Sequence, residues 1–208
     1  MKRCVIFCAG EFTGLCHQPR QDDLLIAADG GICHLQSLGL QPQVILGDFD
    51  SLGHIPPGAE VFPVEKDDTD SMLAIKKGLA LGCDTFLLYG AMDGNRPDHT
   101  VANYQALLYL AQRGARGFLA GTHQIATVLR DGCVTFPDRF RGHLSLFCLG
   151  PTAEQVCISG TKYTLDQGSL SADFPLGVSN SFLGCPATVS VGNGSLLMLW
   201  QRENGLIE

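Results

Sequence analysis

Short, almost uninterrupted apolar runs alternate with helix-like segments over the first 120 or so residues. The runs predict six strands, at residues 4–9, 24–28, 44–46, 61–64, 85–89 and 117–120. Apolar residues at helical spacing predict three helices, around residues 32–38, 72–79 and 102–111. Gly39, Gly82 and Gly114 follow these segments, as glycine commonly does at a helix end. Apolar strands alternating with helices are typical of a parallel sheet covered on both faces.

The pattern changes after about residue 121 to short alternating strands separated by glycine and proline, with no helical spacing. These strands are predicted at residues 125–129, 144–149, 155–158, 187–191 and 196–200. We therefore expect an α/β fold class with two domains. Residues 1–121 would form a Rossmann-like, mostly parallel sheet domain, and residues 122–208 an all-β sandwich domain.

Amino-acid composition limits the kinds of molecule that the protein would bind and the cellular compartment in which we expect it. The net charge of −7 argues against a nucleic-acid-binding groove. The sequence has neither a secretory leader nor an apolar stretch near 20 residues, so we expect no membrane association. Its nine cysteines form no CxxC pair, which disfavours a zinc site and favours reduced thiols. A cytoplasmic protein is the expectation.

Aspartates are concentrated just after the predicted strands. Eight of the fifteen lie just beyond the carboxyl ends of four strands. They are Asp29, Asp48, Asp50, Asp67, Asp68, Asp70, Asp93 and Asp98. Ligands of open α/β sheets bind at this edge, and carboxylates crowded there need a cation among them. Oxygen ligands of this kind predict Mg²⁺.

Each aspartate motif also has a purely structural interpretation. Asp29 followed by Gly30 is a common turn sequence. Asp48 with Asp50, and Asp68 with Thr69, could instead cap helices. Four such motifs at four successive strand ends favour a shared site over four unrelated turns.

The sequence contains neither of the two common glycine-rich phosphate-binding motifs. Neither a GxxxxGK[ST] loop nor a GxGxxG motif after the first strand is present. Arg96 is the candidate phosphate ligand, because a guanidinium binds phosphate oxygens in pairs. The alternative is a surface arginine paired with Asp98.

The order of these motifs resembles the thiamine pyrophosphokinase family. The matching blocks are Ala28-Asp29-Gly30-Gly31, Gly47-Asp48-Phe49-Asp50-Ser51, Asp67-Asp68-Thr69-Asp70 and the stretch from Gly90 to His99. In the second half, residues 159–165 and 177–182 resemble that family's thiamine-binding segments. One departure is a fifth-strand block that is one residue longer than the common form, with Pro97 between Arg96 and Asp98.

The resemblance implies that a diphosphoryl group passes from ATP to thiamine in a homodimer, with thiamine between the subunits. Asp48, Asp50 and Asp70 would hold Mg²⁺ and, with Asp98, form the catalytic set. The binding residues that the resemblance suggests are Asp29, Asp68, Thr69, Arg96, Ser179, Asn180 and Phe182.

Three alternatives remain open from the sequence. The acceptor could be another hydroxymethyl compound, such as a pterin alcohol. The chain could also bind Mg·ATP as a sensor without catalysis. Phe182 could stack on the cationic ring of thiamine or could be part of the sandwich core.

Overall fold

The computed structural model describes residues 2–207 and has a mixed α/β fold built around a twelve-stranded sheet. The first half contains six strands and three helices. The strands are β1 (Arg3–Phe7), β2 (Leu24–Ala28), β3 (Val44–Gly47), β4 (Glu60–Val61), β5 (Thr85–Tyr89) and β6 (Arg116–Ala120). The helices are α1 (Gly31–Ser37), α2 (Asp70–Ala80) and α3 (Pro97–Ala111). All three helices and five of the six strands agree closely with the apolar pattern.

The first six strands are parallel and run in the spatial order β6-β5-β1-β2-β3-β4. The chain therefore winds outward from β1 to β4, returns to the other side of β1 for β5, and continues to β6. The winding direction reverses between β1 and β5, and in open α/β sheets ligands bind beside such a point. Gly39, Gly82 and Gly114 have φ angles of 67°, 81° and 72°, which confirms that they end the helices.

The predicted strand at residues 61–64 differs from the observed one. Strand β4 has only two residues, and both are exposed at the sheet edge. Pro63 has no backbone N–H to donate, so pairing stops before it, and Val64 remains 62% exposed.

Six further strands make up the second half. They are β7 (Gln124–Phe136), β8 (His143–Cys148), β9 (Thr152–Ser159), β10 (Leu165–Ser171), β11 (Asn180–Ser181) and β12 (Ala187–Gln201). All of these pairings are antiparallel, and β7 also pairs with β6, so the sheet continues through both halves. In this half the described helical structure is a 3₁₀ turn at Arg202–Asn204.

Several features of the second half depart from the predicted strands: β7 continues to Phe136 instead of ending near residue 129, and the short strand β11 was not predicted. Residues 187–191 and 196–200 belong to one strand, β12, because backbone pairing resumes after a register shift between Val191 and Ser195. Gly194, with φ of 115°, supplies the backbone geometry that this bulge needs. Strand β10 was not predicted, since its polar sequence carries two register shifts that break the alternation.

Two apolar layers flank the sheet and both reach into the second half, one of them much further than the other. In β1, Val5 and Phe7 face one layer while Cys4 and Ile6 face the other. The extended layer includes the fully buried Trp200. None of the helices in residues 2–207 has the length and apolar character that a membrane crossing requires. All nine cysteines are free thiols.

Candidate active site

A cavity of about 940 Å³ opens at the carboxyl ends of the parallel strands. Its wall is built from residues within the segments 8–11, 28–34, 48–52, 64–71 and 90–103. Close backbone contacts shape it: a Cβ on Gly10 would lie 2.5 Å from the Gly90 oxygen, and one on Gly31 would lie 1.8 Å from the Phe7 oxygen. Only glycine fits at either position, so the loops after β1 and β5 meet across the point where the winding reverses.

The turns that follow β2 and β3 hold two non-glycine residues in the left-handed region, Asp29 with φ of 48° and Phe49 with φ of 59°. Conformations of this kind cost free energy and are concentrated at functional sites. The Asp29 backbone N–H donates to the Leu46 oxygen, and the Ser51 hydroxyl donates to Asp29 Oδ2 at 2.9 Å. Phe49 is buried and anchors its turn. Both turns therefore aim carboxylates into the cavity.

Three of these carboxylates have the spacing of a cation site. One oxygen from each of Asp29, Asp48 and Asp50 lies within 4.8 Å of the others. Asp29 Oδ1 is buried and accepts no hydrogen bond, whereas the nearest positive charge to Asp70 Oδ1 is the Lys66 ammonium group. Buried carboxylate oxygens without donors are costly unless a cation compensates them. This oxygen-only set fits Mg²⁺, and Asp29 extends the set of Asp48, Asp50 and Asp70 that the sequence predicted.

Lys66 lies between two of the cavity's carboxylates, and sequence reasoning missed it. Its Nζ lies 2.6 Å from Asp48 Oδ2 and 3.2 Å from Asp70 Oδ1. The hydrogen bond from Lys66 lowers the pKa of Asp48, whereas burial raises the pKa of Asp70. The signal in the sequence was its position as the one basic residue in Glu65-Lys66-Asp67-Asp68-Thr69-Asp70.

Asp68 and Thr69 line the cavity next to the start of α2. Thr69 is the N-cap of this helix, and its hydroxyl accepts a hydrogen bond from the Met72 N–H at 3.2 Å. The capping interpretation is thus confirmed for Thr69. Asp68 accepts two hydrogen bonds of 2.7 Å from Lys76, which lies in the second turn of the same helix.

Arg96 and Asp98 form a solvent-exposed pair at the start of α3. The guanidinium donates to both Asp98 oxygens, at 3.1 and 2.9 Å, and the two side chains are 62% and 63% exposed. The hydrogen bond from Arg96 lowers the pKa of Asp98 to about 2. Arg96 is part of the cavity wall, but Asp98 is not. The structure thus has the surface pair that the sequence left as the alternative.

The longer loop after β5 is tied to both halves of the chain. Asp93 lines the cavity, and its Oδ2 accepts a hydrogen bond from the Thr122 N–H at the start of the second half. Asn103 of α3 donates to the Ala91 oxygen at 2.6 Å and accepts from the Ser71 hydroxyl at 2.8 Å. These contacts hold the β5 loop and the starts of α2 and α3 in one arrangement.

Ser179 and Asn180 do not line this cavity. Asn180 is 5% exposed, and its amide pins the neighbouring loop by accepting from the Tyr163 N–H at 2.9 Å and donating to the Tyr163 oxygen at 2.7 Å. Ser179 is exposed, with φ of 59°, and its N–H donates to the Ser145 hydroxyl. The structure therefore brings together the predicted first-half site residues other than Asp98, but keeps Ser179 and Asn180 out of the cavity that these residues line.

Phe182 lies in the core rather than beside an open cleft. It is 7% exposed, and its ring centroid is 5.2 Å from that of Phe136 and 5.6 Å from that of Phe140. A ring enclosed by other aromatic rings has little face left for a substrate. Of the two interpretations of Phe182, this geometry supports core packing and not stacking on thiamine.

Comparison with known proteins gives matches over most of the chain. A family model described as "Thiamin pyrophosphokinase, catalytic domain" matches residues 17–119, and one described as "Thiamin pyrophosphokinase, vitamin B1 binding domain" matches residues 122–196. A curated protein named "Thiamine pyrophosphokinase" from Bacillus subtilis is 25% identical over 185 residues, which cover 85% of this chain and 86% of the relative.

Solved structures agree with these matches. The crystal structure of thiamine pyrophosphokinase from Bacillus subtilis has a TM-score of 0.86 at 24% identity, covering 96% of this chain and 99% of that one. The corresponding structure from Geobacillus thermodenitrificans has a TM-score of 0.81 at 26% identity and covers 97% of each chain. Because the two family models together span residues 17–119 and 122–196, the chain belongs to the thiamin pyrophosphokinase family.

Proposed function

We propose that the protein transfers the diphosphoryl group of ATP to the hydroxyl of thiamine, in a Mg²⁺-dependent reaction that gives thiamine diphosphate and AMP. The observation that carries the proposal is the carboxylate group of Asp29, Asp48 and Asp50 at the carboxyl ends of β2 and β3, on the same edge of the parallel sheet as its reversal point. Such a site suits a metal–nucleotide complex. Membership of the family supplies the acceptor, which the cavity geometry alone would not identify.

The reaction requires little covalent chemistry from the protein. The hydroxyl oxygen of the acceptor attacks the β-phosphorus, the bond from that phosphorus to the oxygen bridging to the α-phosphate breaks, and AMP leaves with that oxygen. The hydroxyl proton passes to a nearby base or to water. Catalysis of such steps comes mainly from positioning and from neutralising charge on the phosphate oxygens.

The first-half residues divide these tasks. Asp48 and Asp50, with Asp29 and Asp70 beside them, would hold Mg²⁺, which neutralises the phosphate charge when bound. Asp29 is held by Ser51 at 2.9 Å, so its carboxylate is oriented before any ligand arrives. Preoriented ligands reduce the entropy that binding must overcome.

Four residues around the cavity mouth would bind or orient the nucleotide. Arg96 lines the cavity and would exchange its exposed contact with Asp98 for a phosphate oxygen, since surface ion pairs are weak. Asp98 would hold Arg96 at the mouth until a phosphate takes its place. Asp68 and Thr69 also line the cavity, and Thr69 fixes the start of α2 there.

We further propose that residues 1–121 act as a Rossmann-like nucleotide domain and residues 122–208 as a β-sandwich domain that binds thiamine, with Ser179 contacting the aminopyrimidine. Asn180 would shape that surface by fixing the Tyr163 loop. Four large apolar side chains between residues 163 and 183 are more than half exposed, which supports a homodimer through this region. They are Tyr163, Phe174, Leu176 and Leu183. The nine free thiols support a cytoplasmic location.

The test is to incubate the protein with ATP, thiamine and Mg²⁺ and to resolve the products by chromatography. We expect AMP and thiamine diphosphate in equal amounts, and neither without a divalent cation. Stoichiometric ADP would contradict the proposal, because it would mean γ-phosphoryl transfer. Turnover of a pterin alcohol in place of thiamine would favour the other acceptor class, and binding of Mg·ATP without AMP release would favour a sensor. Asp48→Asn provides the background rate.

A further inference from the structure

Lys66 is enclosed by anions in the wall of the cavity. Its Nζ donates to Asp48 Oδ2 at 2.6 Å and to the Pro63 oxygen at 3.1 Å, and it lies 3.2 Å from Asp70 Oδ1. The side chain is only 12% exposed. Burial by itself lowers the pKa of Lys66, but the hydrogen bonds and charges of the two aspartates outweigh it and raise the pKa. The ammonium group is therefore charged and depends on neighbouring anions.

Lys66 is one of very few positively charged side chains in a cavity lined mainly by carboxylates. Seven carboxylates line the cavity, but only two of the lining side chains, Lys66 and Arg96, carry a permanent positive charge. Arg96 is paired with Asp98 at the exposed mouth. Lys66 is thus the positively charged side chain beside the candidate cation site. It contacts Asp48, one of the three carboxylates of that site.

A divalent cation and an ammonium group compete for the same carboxylate. Once Asp48 ligates a divalent ion, its attraction for Lys66 falls, and the two positive charges repel each other at short range. A buried ammonium that loses a counter-anion must find another one. The phosphates of a bound nucleotide are the anions that would enter this cavity, and the flexible four-carbon stem of lysine allows a move of this size.

We propose that Lys66 is a phosphate-binding residue that alternates between two partners. In the metal-free protein it bridges Asp48 and Asp70, and in the loaded protein it donates to a phosphate oxygen of the nucleotide. The inference rests on the proposed function, because it takes a nucleoside triphosphate as the occupant of the cavity. It differs from a structural cross-link, in which Lys66 would only keep two aspartates in place.

The two roles predict different combinations of changes in two binding measurements with the variant Lys66→Met. The first measurement is the affinity for Mn²⁺ alone, obtained from the electron paramagnetic resonance signal of the free ion. The second is the affinity for α,β-methylene-ATP at saturating Mg²⁺, obtained by calorimetry, since the bridge of this analogue cannot be cleaved. Lys77→Met is the matched control, because Lys77 also lies in an ion pair, 2.6 Å from Glu60, but not in the cavity wall.

We expect Lys66→Met to bind Mn²⁺ as tightly as the wild type or several-fold more tightly, since a competing cation is removed. The nucleotide analogue should bind about tenfold or more weakly, as the loss of a charged hydrogen bond predicts. Lys66→Arg should restore most of the nucleotide affinity, and Lys77→Met should change neither affinity. A parallel loss of Mn²⁺ and nucleotide affinity in Lys66→Met would show a structural cross-link and overturn the proposal, as would unchanged nucleotide affinity.

A measurement on the wild-type protein covers the case in which Lys66→Met does not fold. The rate at which acetic anhydride acetylates Lys66, followed by mass spectrometry, should rise when Mn²⁺ is added alone and fall when the nucleotide analogue is added as well. No rise with the metal, or no protection by the analogue, would overturn the proposal. None of these measurements uses thiamine, so a failure of the proposed reaction, seen as no thiamine diphosphate, remains distinguishable from a failure of the role of Lys66.

Discussion

Replacing Phe182 by leucine separates a core role from a substrate-stacking role. The ring of Phe182 makes one tilted contact with Phe136 and one edge-to-face contact with Phe140. Leucine keeps the apolar character but loses both aromatic pairs, each worth about 0.5–1.5 kcal/mol beyond the buried area. The smaller side chain also leaves a partly filled cavity in a core where large-to-small changes are costly. We therefore expect the free energy of unfolding to fall by about 2–3 kcal/mol.

A loss of this size is measurable by thermal unfolding. For a chain of about 200 residues, 1 kcal/mol corresponds to roughly 2–4 °C, so the melting temperature of Phe182→Leu should fall by about 4–12 °C. The thiamine KM of the folded variant, measured by formation of thiamine diphosphate, should stay within about twofold of the wild-type value. A twofold change corresponds to ~0.4 kcal/mol of binding free energy. Phe147→Leu is the matched control, since Phe147 lies on β8 and is 36% exposed.

The control should melt within about 2 °C of the wild type, as surface substitutions usually change stability by less than about 0.5 kcal/mol. A Phe182→Leu variant that melts like the wild type and has a thiamine KM raised about tenfold would refute the core role of Phe182. That combination is the signature of a ring that stacks on the cationic substrate, for which a cation over an aromatic face gains ~0.5–2 kcal/mol.

Three further predictions concern residues of the two halves. Asp48→Asn and Asp50→Asn should each remove most turnover and weaken Mn²⁺ binding, since each change removes a proposed cation ligand. Both variants should melt within a few degrees of the wild type, because little packing is lost. Near-normal turnover at limiting Mg²⁺ would refute the metal assignment. Thr69→Ala should lower the melting temperature by about 2–4 °C through loss of the α2 cap, and Thr69→Ser should restore it. Asn180→Ala should cost ~2–3 kcal/mol in thermal unfolding, because the Tyr163 N–H and oxygen lose their partners; an unchanged melt would show that the Tyr163 loop does not depend on this amide.

The apolar pattern by itself determined the parallel half of the fold. Runs such as Leu24–Ala28 and Thr85–Tyr89 are buried along nearly their whole length, and that local property is visible in the sequence. Because parallel strands present their carboxyl ends at one edge, the positions of Asp29, Asp48 and Asp50 after successive strands also determined that they would meet.

Other features depend on contacts between distant segments, which a local pattern does not contain. The strand β12 continues through Gly194 because β7 and β9 pair with it on both sides, and polar β10 becomes a strand only by pairing with β9. The burial of Phe182 is decided by Phe136 and Phe140, more than forty residues earlier in the chain.

The candidate site shows the same division between sequence and tertiary structure. Composition and spacing indicated an acidic, cation-binding edge, because carboxylates concentrate charge wherever the strands end. Only the folded chain placed Lys66 between Asp48 and Asp70, and only it showed that Arg96 lines the cavity while Asp98 does not. The choice of partner for a charged side chain depends on distances of a few ångströms between separate loops, and such distances are set by the packing of the whole sheet and its helices.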